Sequence, residues 1–255
     1  MQQPYYVIDF SASACMFEIR INDYPVIHMN ATHQVSTMVP INYAILEKGK
    51  QKITASILPV VGQTEIDQQA ELRFNIKLFD VVNNFVFDKQ FGEYQSKPVE
   101  DKKLPVIRYE SSFEAEVPYT LNAWQNGTDL KDVKDCREKL KLVYDKIIKL
   151  IQDGKYDEYK RLIAGREGNM AQSMYLSGQE SEGRFKELLK EFEGMKVQPL
   201  PADAIMMQYA DNKVAVLKRL NGDAALYLLD PKTGEELMLD ITFYIPKGKT
   251  DFEII

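Results

Sequence analysis

Apolar and polar positions alternate with a period of two through most of the first 120 residues, then recur with a helical period through the next 70. Leu72, Phe74, Ile76 and Leu78 set against Arg73, Asn75 and Lys77 predict a strand over 71–80 with one buried and one wet face. Cys15, Phe17, Ile19 and Ile21 against Glu18 and Arg20 predict another over 15–21. Further strands are expected over 5–10, 26–29, 51–58, 85–91 and 106–119, with Asn22-Asp23-Tyr24-Pro25 supplying the turn before the third. Strand following strand without an amphipathic helix predicts an all-β antiparallel sandwich.

The period changes across residues 122–129, a polar stretch containing Gly127, which is expected to be a linker between a β-sandwich domain over 1–121 and an α+β domain over 130–255. Leu130, Val133, Cys136 or Arg137, Leu140, Val143, Tyr144, Ile147, Ile148 and Ile151 follow at helical spacing, predicting one long helix with Thr128 or Asp129 as N-cap and Gly154 as stop. A shorter helix over 155–163, a break at Gly165 to Gly168, a turn or two over 170–176 and a helix over 180–192 come next. Strands over 205–209, 214–220, 224–229 and 237–245 then predict an antiparallel meander, with hairpin turns at Asn221-Gly222 and at Asp230 to Gly234. Helices packed on such a meander make an α+β fold.

Two partial resemblances refine these classes. The stretch 40–54, with an apolar anchor, a Lys48-Gly49 turn and an alternating strand, resembles the sheet-to-sheet crossover of jelly-roll and Ig-like sandwiches. The order of helices and then meander strands resembles the cystatin-like and nuclear-transport-factor-like folds. Neither fold determines a function.

Composition narrows the classes of partner. At 255 residues the chain is long enough for two domains, and 45% hydrophobic with 27% charged residues is the balance of a globular protein rather than a disordered one. Lys and Arg number 32 against 38 Asp and Glu, a net charge of −6, and residues 1–121 contribute 11 − 15 = −4 of it. That acidity argues against nucleic acid as a partner. The first twenty residues hold no basic segment ahead of an apolar one, and no apolar run approaches the ~18 residues of a membrane span, so no secretory signal and no membrane association are expected. Cys15 and Cys136 fall in different domains and are expected to be free buried thiols, as in a cytoplasmic protein.

No motif of catalytic spacing emerges. His28 and His33 lack a set of partner ligands, and a histidine used for packing or hydrogen bonding accounts for each. A Cys15 and His28 nucleophile pair is set against the position of Cys15 on an apolar strand face. Tyr156-Asp157-Glu158-Tyr159 is expected to form a solvated helix surface, and Gly165 to Asn169 a helix connection rather than a phosphate loop. Asn30 and Asn126 begin glycosylation sequons that have no meaning without secretion. Met206 and Met207 are expected in a core, and Trp124 as an anchor between domains. The site assignment is therefore no catalytic, cofactor-binding or metal-binding residue, with the binding residues undetermined.

The segments 11–26, 40–54 and 243–250 together resemble uncharacterised two-domain bacterial proteins of the toxin-immunity type. That resemblance implies a cytoplasmic, non-enzymatic protein-binding module that blocks a bacterial toxin, without cofactor; complementary charge would steer an acidic inhibitor to a basic toxin. Such a module predicts an exposed patch with aromatic anchors. The alternative is a small-ligand binder or enzyme using a cavity in the C-terminal α+β domain. A third possibility, carbohydrate binding by the sandwich, predicts a row of exposed aromatics. Neither the partner, its interface nor the oligomeric state follows from the sequence.

Overall fold

A computed structural model describes residues 3–82, 84–100 and 103–255. It is β-rich, with four antiparallel sheets and three α-helices, and divides into two compact units, Met1–Leu121 and Asn122–Ile255.

Among the described residues the first unit contains eight strands: β1 (Pro4–Ser13), β2 (Cys15–Ile21), β3 (Tyr24–Ala31), β4 (Val35–Pro40), β5 (Gly49–Leu58), β6 (Glu71–Asp80), β7 (Val86–Gln95) and β8 (Ile107–Ala115). They form two four-stranded sheets, ordered β4-β1-β6-β7 and β3-β2-β5-β8. The sheets face one another through side chains that alternation assigns inward, with ring centroids of Phe10 and Phe17 5.2 Å apart and those of Tyr6 and Phe113 5.9 Å apart. The chain passes from one sheet to the other within a single residue. Ala14, between β1 and β2, adopts a left-handed φ of 50°, and the neighbouring Cys15 thiol donates to the Glu71 carbonyl at 3.6 Å. Asn42 ties the crossover after β4 in place: its side chain accepts from the Tyr6 N–H at 2.6 Å and donates to the Pro4 carbonyl at 2.9 Å.

Strand β4 was not expected. Its six residues pair with β1, at an edge, and three of them are exposed with none buried, so there is little alternation to read. Strand β7 is also an edge, bent by two bulges. Its partners jump from Phe74↔Tyr94 to Ile76↔Phe91, where Gly92 has φ 66°, and from Leu78↔Lys89 to Phe79↔Phe87. Bulges of this kind hinder edge-to-edge pairing with other chains.

In the second unit, α1 (Cys136–Gln152), α2 (Tyr156–Ser173) and α3 (Gly178–Glu191) precede seven short strands. The long helix expected from Leu130 is shorter, because Asp135 sits in the left-handed region at φ 54°, ψ 37°. Leu130–Asp132 is a 3-10 turn, capped where the Asp129 side chain accepts from the Lys131 N–H, and Leu130 is buried from that turn rather than from the helix. The break expected at Gly165 to Gly168 is absent. Helix α2 runs through both glycines, since a helical glycine costs only ~1 kcal/mol relative to alanine and packing on the core outweighs it. Helix α3 opens on a capping box in which the Ser177 hydroxyl accepts from the Glu180 N–H and the Glu180 carboxylate accepts from the Ser177 N–H.

The single meander is also corrected. Strands β10 (Ile205–Tyr209), β11 (Val214–Lys218), β14 (Phe243–Tyr244) and β15 (Glu253–Ile254) form one sheet, in that order. Strands β9 (Lys196–Val197), β12 (Tyr227–Leu229) and β13 (Glu236–Met238) form another, ordered β13-β12-β9. The Asn221-Gly222 turn does form, with the Gly222 N–H bonded to the Arg219 carbonyl and Lys218 bridging Ala224. Strand β14 holds the rest of that edge of β11 through Val214↔Tyr244 and Ala215↔Phe243, so the chain leaves for the second sheet. Tyr144 joins helix to sheet: its ring lies 4.8 Å from that of Phe243, and its hydroxyl accepts from the Leu217 N–H at 3.0 Å.

Residues 122–129, expected as a linker, are hydrogen-bonded into this unit. Gly127 bridges Pro246, Thr128 N–H donates to the Ile245 carbonyl at 2.8 Å, and Lys247 N–H donates to the Asn126 carbonyl at 3.0 Å.

Candidate binding surface

The outward face of sheet β4-β1-β6-β7 is assembled from residues that alternation turns away from the core. At its β6–β7 end, Tyr5, Phe79 and Phe87 lie directly opposite one another on three adjacent strands. The Phe79 and Phe87 rings meet edge to face at 5.8 Å. Phe85, in the hairpin, lays its ring against that of Tyr5 at 5.1 Å and 84°. Val82, Phe85, Val86 and Phe87 are each at least half exposed, at 57, 52, 57 and 50%. Four large apolar side chains are left in water at one hairpin, unlike singly scattered apolar residues, which need no explanation.

The backbone of the hairpin carries strain as well. Asn84 and Phe85 have φ of 59° and 57°, and for a bulky residue such as Phe85 the left-handed region costs about 1–2 kcal/mol. Bonds from Val82 N–H to the Asp80 carboxylate and from Asn84 N–H to the Val81 carbonyl hold the turn in this form.

Along the same face, away from the hairpin, the surface becomes polar. A groove of about 510 Å³ is lined by Asp9, Arg73, Asn75, Gln90, Glu93 and Gln95 among others. Lys77 holds the Asp9 carboxylate at 2.6 Å, and Gln90 donates to Glu93 at 2.6 Å. The bulge at Gly92 and Glu93 lies opposite Asn75, whose buried Oδ1 has no hydrogen-bond partner among the described residues. An apolar end beside a polar one is the anatomy of a protein contact with a dry centre and a wet rim.

The residues singled out in the sequence are not brought together. His28 and Cys15 lie on opposite faces of sheet β3-β2-β5-β8: Cys15 is fully buried among the inward residues, and His28 stands across from Glu18, with Nδ1 4.0 Å from its carboxylate. Burial pushes the Cys15 thiol up to about 11, so it is protonated and unreactive at neutral pH. His33 is exposed on the β3–β4 connection. Cys136 is buried at the start of α1, with its pKa raised by burial, and both cysteines are free. Among the described residues no three His, Cys, Asp or Glu side chains are grouped to hold a metal ion. Asp157 and Glu158 are exposed on α2, whereas Tyr159 is buried. Met206 packs against the core of the second unit, and Trp124 is buried in a 3-10 turn. No helix is long and apolar enough to cross a membrane among the described residues.

The aromatic face was missed at the level of sequence, although a signal was present. Phe85, Val86 and Phe87 are three consecutive apolar residues beside an Asn84 turn, and a strand of period two cannot turn all three inward. Comparison with known protein families, with curated proteins and with solved structures finds no match to this chain.

Proposed function

We propose that this chain is a non-enzymatic protein-binding module of the toxin-immunity type, acting in the bacterial cytoplasm and docking its partner on the outward face of sheet β4-β1-β6-β7. The observation that carries this proposal is the half-exposed group of Val82, Phe85, Val86 and Phe87, part of it held in a strained turn. Aromatic anchors that become fully desolvated supply most of the energy of a protein interface. The net charge of −6 suits a basic partner, whose approach it would accelerate. Of the finer fold classes, the two facing sheets support an Ig-like or jelly-roll-like sandwich, and three helices ahead of the strands support a cystatin-like second unit.

Carbohydrate binding by the same face is the weaker proposal. A sugar ring stacks on a flat aromatic platform, whereas the rings here meet edge to face at 84° and 72°. A photo-crosslinking residue placed at Phe87, on the outward face beside Phe79, tests the assignment, using the purified product of the adjoining gene. A crosslink there, absent from a control at the exposed Lys141 of α1, supports it. Equal crosslinking at both positions, or a crosslink only at the control, overturns it.

A further inference from the structure

We propose that the polar groove on the first unit binds a free α-amino acid with an uncharged polar side chain, its ammonium taken by Glu93 and Asn75 and its carboxylate by Arg73. This goes beyond docking on the aromatic end of the same face and needs no protein partner. The registers of β1, β6 and β7 bring Asp9, Arg73, Asn75, Gln90, Glu93 and Gln95 together around about 510 Å³. That volume lies in the range of small-molecule sites.

Most polar groups along the groove answer one another. Lys77 holds Asp9 at 2.6 Å, and the Gln95 amide donates to the Glu71 carboxylate at 2.7 Å. Three groups are left over. The Oδ1 of Asn75 is buried and has no donor among the described residues. Glu93, in the bulge opposite Asn75, accepts from the neutral Gln90 amide at 2.6 Å, and no cation pairs with it among the described residues. The Arg73 guanidinium, at an exposed position, has neither an ion pair nor a hydrogen bond among the described residues. Buried carbonyl oxygens are ordinarily satisfied, so the Asn75 Oδ1 calls for a donor from outside the chain, one that enters where the Gln90 amide now holds Glu93.

These three groups define the class of ligand. A lone anion would be repelled by Glu93, a lone cation by Arg73, and an uncharged sugar would leave both charges unanswered. A molecule carrying a cation and an anion close together answers all three. Arg73 and Asn75 stand two residues apart on the outward face of β6, about 7 Å along the strand, so their side chains can flank a ligand whose two charges share one carbon. A guanidinium matches a carboxylate with two parallel hydrogen bonds, and an ammonium brings three donors, of which Glu93 and the Asn75 Oδ1 take two. The Gln90 and Gln95 amides beside them suit a polar, uncharged side chain.

Titration of the full chain followed by NMR, with L-glutamine, L-glutaminamide and N-acetyl-L-glutamine, tests the proposal, since the second probe lacks the carboxylate and the third the ammonium. Saturable binding of L-glutamine is expected, with each capped form at least about tenfold weaker, the value of one charge-assisted hydrogen bond. Arg73→Gln is expected to bind L-glutamine and L-glutaminamide equally, and Glu93→Gln to bind L-glutamine and N-acetyl-L-glutamine equally. Both positions are exposed, so the fold is expected to be retained, as circular dichroism would check. No saturable binding, equal binding of the three probes by the parent, or the parental preferences persisting in both variants would overturn the proposal. No partner protein takes part, so that result would leave docking on the aromatic end untouched.

Discussion

Phe85 combines a left-handed backbone with a half-exposed ring, two features that selection for stability alone would remove. Asparagine tolerates the left-handed region, so Phe85→Asn relieves about 1 kcal/mol of strain while losing an edge-to-face contact worth about 0.5–1.5 kcal/mol. Its stability in urea is therefore expected to stay within about 1 kcal/mol of the parent; a loss beyond about 2 kcal/mol would make the ring a structural element instead of a contact. Cys15 gives a prediction of opposite character. Its folded pKa of about 11 exceeds the ordinary thiol value of 9.0, so the folded state holds the proton longer than the unfolded one. That contribution is complete below pH 9 and is lost as pH rises from about 9 to about 11. Thiol reagents should leave Cys15 unmodified at pH 8 in the folded protein, and rapid labelling there would contradict its burial. The inward place of Cys15 was legible from Phe17, Ile19 and Ile21, its strand neighbours at period two. The unpartnered Oδ1 of Asn75 was not, because pattern separates buried from exposed positions but does not say whether a buried amide oxygen finds a partner among the described residues.

Helix α2 shows how far local propensity can mislead. Gly165 and Gly168 read as a break, yet the core contacts of Tyr159 and Ile163 hold the helix through them. At Gly168 an added Cβ meets nothing within 4 Å, and the helical backbone suits alanine, so Gly168→Ala is expected to raise stability by about 0.5–1 kcal/mol in thermal unfolding. Gly127 is the opposite case. A Cβ there would stand 2.9 Å from the Trp124 carbonyl oxygen, and Gly127→Ala is expected to destabilise by about 1–3 kcal/mol; no change would mean that the turn relaxes freely. The strands β2 and β6 appear at the expected residues because each has one buried and one wet face. The single meander failed because the turn at Asn221-Gly222 is a local fact, whereas the sheet that takes the next strand depends on β14, some twenty residues later. Ser177 and Glu180 were legible as a capping box but were passed over, and with them the start of α3 at Gly178.

For the whole molecule, hydrogen bonding of residues 124–130 into the second unit predicts where the chain can be divided. A fragment over 122–255 is expected to unfold cooperatively on its own, whereas one over 130–255, which lacks the Gly127 to Pro246 bridge and the Thr128 to Ile245 bond, is expected to be less stable in parallel denaturant titrations. Equal stability of the two fragments would return residues 122–129 to the role of linker. The central claim concerns the aromatic face, and calorimetric titration of the parent chain and of Phe85→Asn combined with Phe87→Ser against the purified product of the adjoining gene tests it most directly. The expected result is an affinity for the parent that falls as salt rises, and a loss of at least about 30-fold in the double variant, equivalent to about 2 kcal/mol for a pair of anchors. Equal affinities for a folded double variant and the parent would contradict docking on this face.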